Sequence, residues 1–377
     1  MNPLVQLRDA GQSPWYDYIR RGLITSGELQ ALIENDGLMG MTSNPSIFEK
    51  AIAGSADYDE AIMRLASMVT SVKEIYERVA IQDIQDAADL LRPVYERSEG
   101  RDGYVSLEVS PELAFDTQAT IDEAVRLYKA VCRDNVMIKV PGTPEGLPAI
   151  EELLSQGINI NVTLLFSVAV YEQVAWSYIR GLKRLAAHGG NLSRIASVAS
   201  FFVSRIDSLI DKKLEAKITQ ESHPGRRAML EDLLGTVAIA NAKLAYKKFQ
   251  EIFASSEFQS LNAQGARVQR VLWASTGTKN PKYPDTYYVD NLIGPDTVNT
   301  MPEATFVAFR DHGKVKNTIQ EGLAEATFTM QRLTEAGISM EEVTDTLLKD
   351  GAKLFLDAFD QLMGVIDRKR TSVLGAK

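Results

Sequence analysis

The chain holds 377 residues, 45% of them hydrophobic, which is enough for a large core; α/β barrels run past about 250 residues as one unit. Its 41 Lys and Arg against 50 Asp and Glu leave a net charge of −9 with no run of like charge, which argues against nucleic acid or an anionic membrane as main partner. Cys132 is the only cysteine and His188, His223 and His312 lie far apart, so an internal disulfide is excluded and neither a metal nor a cofactor is expected.

No apolar stretch approaches about 18 residues. The first residues, with Arg8, Asp9 and Asp17 among polar neighbours, lack a signal-peptide pattern, so a cytoplasmic location is expected. Eight short strands are predicted at residues 14–17, 38–44, 104–110, 136–140, 158–163, 194–200, 271–275 and 297–301. Helical patterns separate them. Thr120 and Glu123 have capping-box spacing, Thr143-Pro144 reads as an N-cap with proline in the first turn, and Gly157 ends that helix. Strand and helix in such alternation imply right-handed βαβ units and a TIM-type (β/α)8 barrel. Extra helices are expected as an insertion near 224–265 and as a C-terminal extension from about 314 to 377. Residues 1–377 are then read as a single domain, because neither stretch has a linker-like composition.

A strand alternates its faces, so Lys139 shares a face with Met137 while Val136, Ile138 and Val140 take the other. A lysine in so apolar a run must find a counter-charge, reach water or lose its proton, and the third outcome makes it a nucleophile for a carbonyl carbon. A plain structural lysine at a strand end, paired with a carboxylate, stands equally open on this strand alone. Neighbouring strands tip the balance. Ser106, Glu108 and Ser110 share one face; Asn159, Asn161 and Thr163 another; Gly40, Thr42 and Asn44 a third. A parallel sheet has both faces covered, so a polar face makes sense inside a barrel, near the C-terminal strand ends that carry chemistry.

Neither GxGxxG after a strand nor GxxxxGK[ST] is present, so dinucleotide binding and nucleoside triphosphatase activity lack support. What remains for an anion is Arg205, past the sixth strand, and the loop Ser275 to Asn280 with Lys279 after the seventh. Late loops of such barrels often hold a substrate phosphate. Two plainer readings stay open: Arg205 in a salt bridge to Asp207 or Asp211, and Lys279 as an ordinary surface lysine.

Several of these segments resemble the transaldolase family. Thr42-Ser43-Asn44-Pro45-Ser46 resembles its T-T/S-N-P motif, and 136–140 its Schiff-base strand. Asn161 to Ser167 matches N-x-T-L-L-F-S, and Ser200 to Ile206 resembles S-x-F-V-x-R-I. The resemblance runs in order from about residue 17 to 302, and its form is similar to a longer bacterial branch also found fused to a phosphoglucose isomerase domain, of which no portion is expected here. It implies Lys139 as the Schiff-base lysine and Asp17 as the acid/base group in carbon–carbon cleavage. It further implies Glu108 and Thr163 as holders of the water exchanged in imine chemistry. Asn44, Asn161 and Ser200 would lie along the three-carbon fragment, and Arg205 and Ser275 on the phosphate. The family's second phosphate arginine is Gly277 here, and Lys279 is expected to substitute.

The residues support that chemistry in their own right. An amine attacks only when neutral, so Glu108 is expected near Lys139 through a bridging water and not in full ionic contact. Amides such as Asn44 and Asn161 both donate and accept, which suits sugar hydroxyls. The implied reaction transfers a dihydroxyacetone unit between sugar phosphates, from sedoheptulose 7-phosphate to glyceraldehyde 3-phosphate. The alternatives are a lyase of the fructose 6-phosphate aldolase type and a non-catalytic sugar-phosphate-binding barrel. Homo-oligomerisation is not readable from the sequence.

Overall fold

Eight parallel strands close a barrel in chain order: β1 (Gln12–Tyr16), β2 (Gly40–Thr42), β3 (Tyr104–Glu108), β4 (Val136–Pro141), β5 (Ile160–Leu165), β6 (Ser197–Phe202), β7 (Arg270–Ala274) and β8 (Thr297–Met301). The structure, a computed structural model, describes residues 2–69 and 71–375. Helices separate the strands and cover the outside, as the (β/α)8 expectation requires. Among the described residues no helix is long and apolar enough to cross a membrane.

The barrel interior is layered. Near its N-terminal end Arg270 pairs with Asp102 at 2.8 Å and donates to Ser13 Oγ at 2.7 Å, sealing that mouth with buried polar groups that satisfy one another. Above them Trp15 fills the interior, its indole N–H donating to Asp102 at 3.1 Å. Gly40 stands opposite Trp15 in register, and a Cβ there would lie 2.5 Å from the indole ring. The tryptophan therefore fits only because the facing residue has no side chain. Over this plug the inward residues become polar, and the site begins.

All eight predicted strands exist, with shifted ends. The sixth starts at Ser197, because Leu192–Arg194 forms a 3-10 turn, and it runs on to Phe202. The fifth is carried beyond Thr163 to Leu165 by an irregularity: Leu164 takes φ 62° and the register to β6 shifts between Val162 and Leu165. The capping-box reading of Thr120 and Glu123 is overturned. Asp116 caps the helix Thr117–Val131, while Thr120 donates to the Leu113 carbonyl and Glu123 accepts from Ser110 N. Helix Gly146–Ser155 begins later than expected, yet Thr143 Oγ1 still accepts from Gly146 N at 3.0 Å.

The insertion comprises helices Pro224–Glu231, Val237–Phe253 and Ser256–Asn262. The C-terminal helices are Leu323–Glu335 and the long Met340–Gly375. The latter packs on the helices Pro45–Ala53 and Asp59–Ala66 and places Phe355 at the barrel mouth. A stretch expected to decorate the barrel thus forms part of the wall above its open end.

Candidate active site at the barrel mouth

A cleft of about 490 Å³ opens at the C-terminal ends of the strands and is lined by Asp17, Thr42, Asn44, Lys139, Thr163, Ser200, Arg205, Ser275 and Lys279, among others. Eight of the ten site residues expected from sequence, Lys279 included, line it; Glu108 and Asn161 do not, although both stand beside Lys139 in register.

Lys139 is 4% exposed, and its Nζ donates to the Ser43 carbonyl at 3.0 Å. Nζ also stands 3.4 Å from Glu108 Oε2. The expected bridging water is therefore replaced by direct contact, because parallel register sets Glu108 beside Lys139 with both side chains pointing inward. Burial pushes the Glu108 carboxyl above its ordinary value, and the Lys139 ammonium only partly opposes the shift. Thr163 Oγ1 is buried without a hydrogen-bond partner among the described residues, and Glu108 Oε2, equally buried, has only the long ionic contact to Lys139. Buried oxygens left short of hydrogen-bond donors are costly unless function uses them.

Asp17 lies just past β1, and its Oδ1 accepts from Thr42 Oγ1 at 2.6 Å. Burial raises its carboxyl above the ordinary value, against the pull of Lys139, the Thr42 hydrogen bond, Arg205 and Lys279. Asn161 bridges two strands: its Nδ2 donates to Ser106 Oγ at 3.1 Å, and its Oδ1 accepts from Ser200 Oγ at 2.6 Å. Asn44 caps the helix Pro45–Ala53 through Oδ1, which accepts from Ile47 N at 3.0 Å. The cap uses one lone pair of that oxygen, and the Asn44 amide N–H groups stay available to the cleft.

The proposed anion end is built from two adjoining elements. Arg205, in the first turn of the helix Ser204–Gln220, lies 5.3 Å over the Phe202 ring. The salt-bridge reading of Arg205 is overturned. Asp207 is engaged by Ala238 N and Tyr288 Oη, and Asp211 by Gly235 N and Tyr283 Oη. Arg205 therefore faces the cleft with no carboxylate paired to it among the described residues, a cation presented to an incoming anion. Ser275 Oγ is 3.0 Å from Ser204 Oγ, and Ser275 itself takes φ 55°. The left-handed turn of this loop thus falls on Ser275, not on Gly277, and a serine held there stores about 1–3 kcal/mol of strain. Gly277 is buried, and a Cβ there would meet Thr305 Oγ1 at 3.2 Å. A larger residue would crowd this packing, while exposed Lys279, two positions on, reaches the same cleft.

Residues that sequence reasoning did not single out also line the cleft: Tyr18, Lys50, Phe202, Thr300, Glu303 and Phe355. The alternation in β8 carried a signal for Thr300, but with polar residues on both faces of that strand it gave no side. Nothing local marks Lys50 or Phe355, whose placement depends on how two helices dock.

A closed parallel barrel with a polar, cation-bearing cleft at its C-terminal mouth belongs to the class of (β/α)8 enzymes. The chain is a member of the transaldolase/fructose-6-phosphate aldolase family, whose model matches residues 14–366. It is 50% identical to Transaldolase 2 of Nostoc sp. over 98% of both chains. It is 48% identical to Transaldolase of Trichodesmium erythraeum, covering 98% of this chain and 97% of that one. Transaldolase of Saccharopolyspora erythraea is 47% identical over 96% of each chain.

Proposed function

We propose that the protein is a transaldolase that moves a dihydroxyacetone unit between sugar phosphates through a Schiff base on Lys139. The observation that carries this reading is the buried amine of Lys139 beside Glu108, at the floor of a cleft whose rim holds Arg205 and Lys279. Lys139 Nζ attacks the C2 carbonyl of a ketose phosphate, and the carbinolamine loses water to give an imine. Glu108 and Thr163, whose buried oxygens lack hydrogen-bond donors among the described residues, are suited to hold that water and shuttle its protons. Asp17, as carboxylate, takes the proton from the C4 hydroxyl while the C3–C4 bond breaks, the aldose phosphate leaves and the bonding pair moves into the imine as an enamine. The enamine then attacks the aldehyde of a second aldose phosphate, Asp17 returns the proton, and water frees the product ketose. Asn44 donates to a hydroxyl of the retained fragment, with Ser200 held on Asn161 alongside. The substrates are sugar phosphates, and we place the reaction in the cytoplasm, since phosphorylated sugars do not cross membranes unaided.

A lyase of the fructose 6-phosphate aldolase type would use the same lysine and release free dihydroxyacetone. The test is product analysis from fructose 6-phosphate with and without erythrose 4-phosphate. Turnover that needs the acceptor and yields sedoheptulose 7-phosphate is expected; acceptor-independent release of dihydroxyacetone would replace transfer with lysis.

The phosphate end gives a separate expectation. Lys279→Ala should raise KM for fructose 6-phosphate about tenfold or more, with kcat much less affected, because it removes one partly exposed charged contact of about 1–3 kcal/mol. Arg205→Ala should do the same or worse. Unphosphorylated fructose is the control: if Lys279→Ala weakens both sugars equally, or neither, the lysine plays no part in phosphate binding.

A further inference from the structure

Thr42 Oγ1 lies 2.6 Å from Asp17 Oδ1, to which it donates, and 2.6 Å from Thr300 Oγ1. A threonine hydroxyl carries one proton. Because Thr42 spends its proton on the Asp17 carboxylate, the second contact can be a hydrogen bond only if Thr300 donates to Thr42. The direction of the whole chain is thereby set: Thr300 to Thr42 to Asp17. Thr300 comes from β8, Thr42 from β2 and Asp17 from the residue just past β1, the strand that β8 and β2 flank. Thr42 is 2% and Thr300 3% exposed, so bulk water cannot freely replace either donor.

We propose that Thr300 is a positioning residue for carbon–carbon cleavage, acting through Thr42 to orient the Asp17 carboxylate and stabilise its charged form. The proposal rests on the assignment of Asp17 as the acid/base group. Two donors in series polarise one another, so the Thr42 hydroxyl is a stronger donor to Asp17 with Thr300 behind it. A carboxylate that loses such support is protonated more readily. The other charged or titratable groups facing Asp17 are Glu108, Lys139, Arg205 and Lys279, with Tyr18, Lys50 and Glu303 on the same cleft. None of these is altered by changes at position 300, which isolates the relay.

The sign follows from the chemistry. Cleavage needs the carboxylate, so activity falls on the acidic side as Asp17 takes up a proton. Thr300→Val keeps the shape and removes the donor. It should move the acidic limb of the kcat pH profile upward and lower kcat at the acidic end about threefold to tenfold, with KM little changed. Thr300→Ser restores the donor without the methyl group and should return the limb to its wild-type position. The profile of Asp17→Asn is measured beside them. A limb unmoved in Thr300→Val, or a Thr300→Ser variant as impaired as the valine, overturns the relay and leaves Asp17 standing. An acidic limb that persists unchanged in Asp17→Asn overturns the assignment of Asp17 and the relay with it.

Discussion

Lys139→Met is expected to abolish turnover, by about 10⁴-fold or more, because nothing else on the cleft floor can form the imine. The fold should survive. Methionine is close to lysine in length, Met137 already occupies the same inward face of β4, and the position is buried. The one group left without its partner is Glu108, whose carboxyl burial already raises. It can take up a proton instead of remaining a lone buried charge, which limits the destabilisation to about 1–3 kcal/mol. Circular dichroism and a melting curve separate this outcome from unfolding. A folded Lys139→Met variant with near wild-type turnover would show that the imine forms elsewhere.

Glu108→Gln is expected to lower kcat about 10²- to 10³-fold with KM little changed. Glutamine preserves size and fills the place beside Lys139, but cannot accept and return a proton. Formation and hydrolysis of the imine both need that transfer, so both half-reactions should slow, while grip on the phosphate at Arg205 and Lys279 is untouched. In a single-turnover experiment the variant should build its covalent intermediate slowly, in proportion to the loss in kcat. An intermediate formed at the wild-type rate would remove Glu108 from imine formation. Stability should not fall steeply, since the glutamine carries no buried charge into a site that penalises one.

The barrel and much of this site were legible because strands impose a period of two. Lys139, Glu108, Asn161, Thr163 and Thr42 could be assigned to inward faces from alternation alone, and the closed barrel brings those faces together. Which partners the side chains would choose was less legible. The relation of Glu108 to Lys139 depended on register between strands, which alternation does not give, and direct contact replaced the bridging water. Asn44 lines the cleft as expected, but its second task as a helix cap, which engages its oxygen, was not read from the sequence. Arg205 kept a plausible helix partner in sequence until Tyr288 and Tyr283, some eighty residues on, proved to occupy both carboxylates. Phe355 belongs to a helix whose own pattern says only that it is half-buried; docking over the barrel mouth is a tertiary event with no local signature. Thr300 was hidden for a simpler reason. In β8 polar residues fall on both faces, and only the position of Thr42 shows which of them matters.

The central claim is that the amine of Lys139 carries the substrate. Incubating the protein with fructose 6-phosphate and sodium borohydride should reduce the imine to a stable secondary amine, and a tryptic mass map should find one three-carbon adduct, on Lys139. An adduct on another lysine, or none under conditions where the protein turns over, would contradict the mechanism.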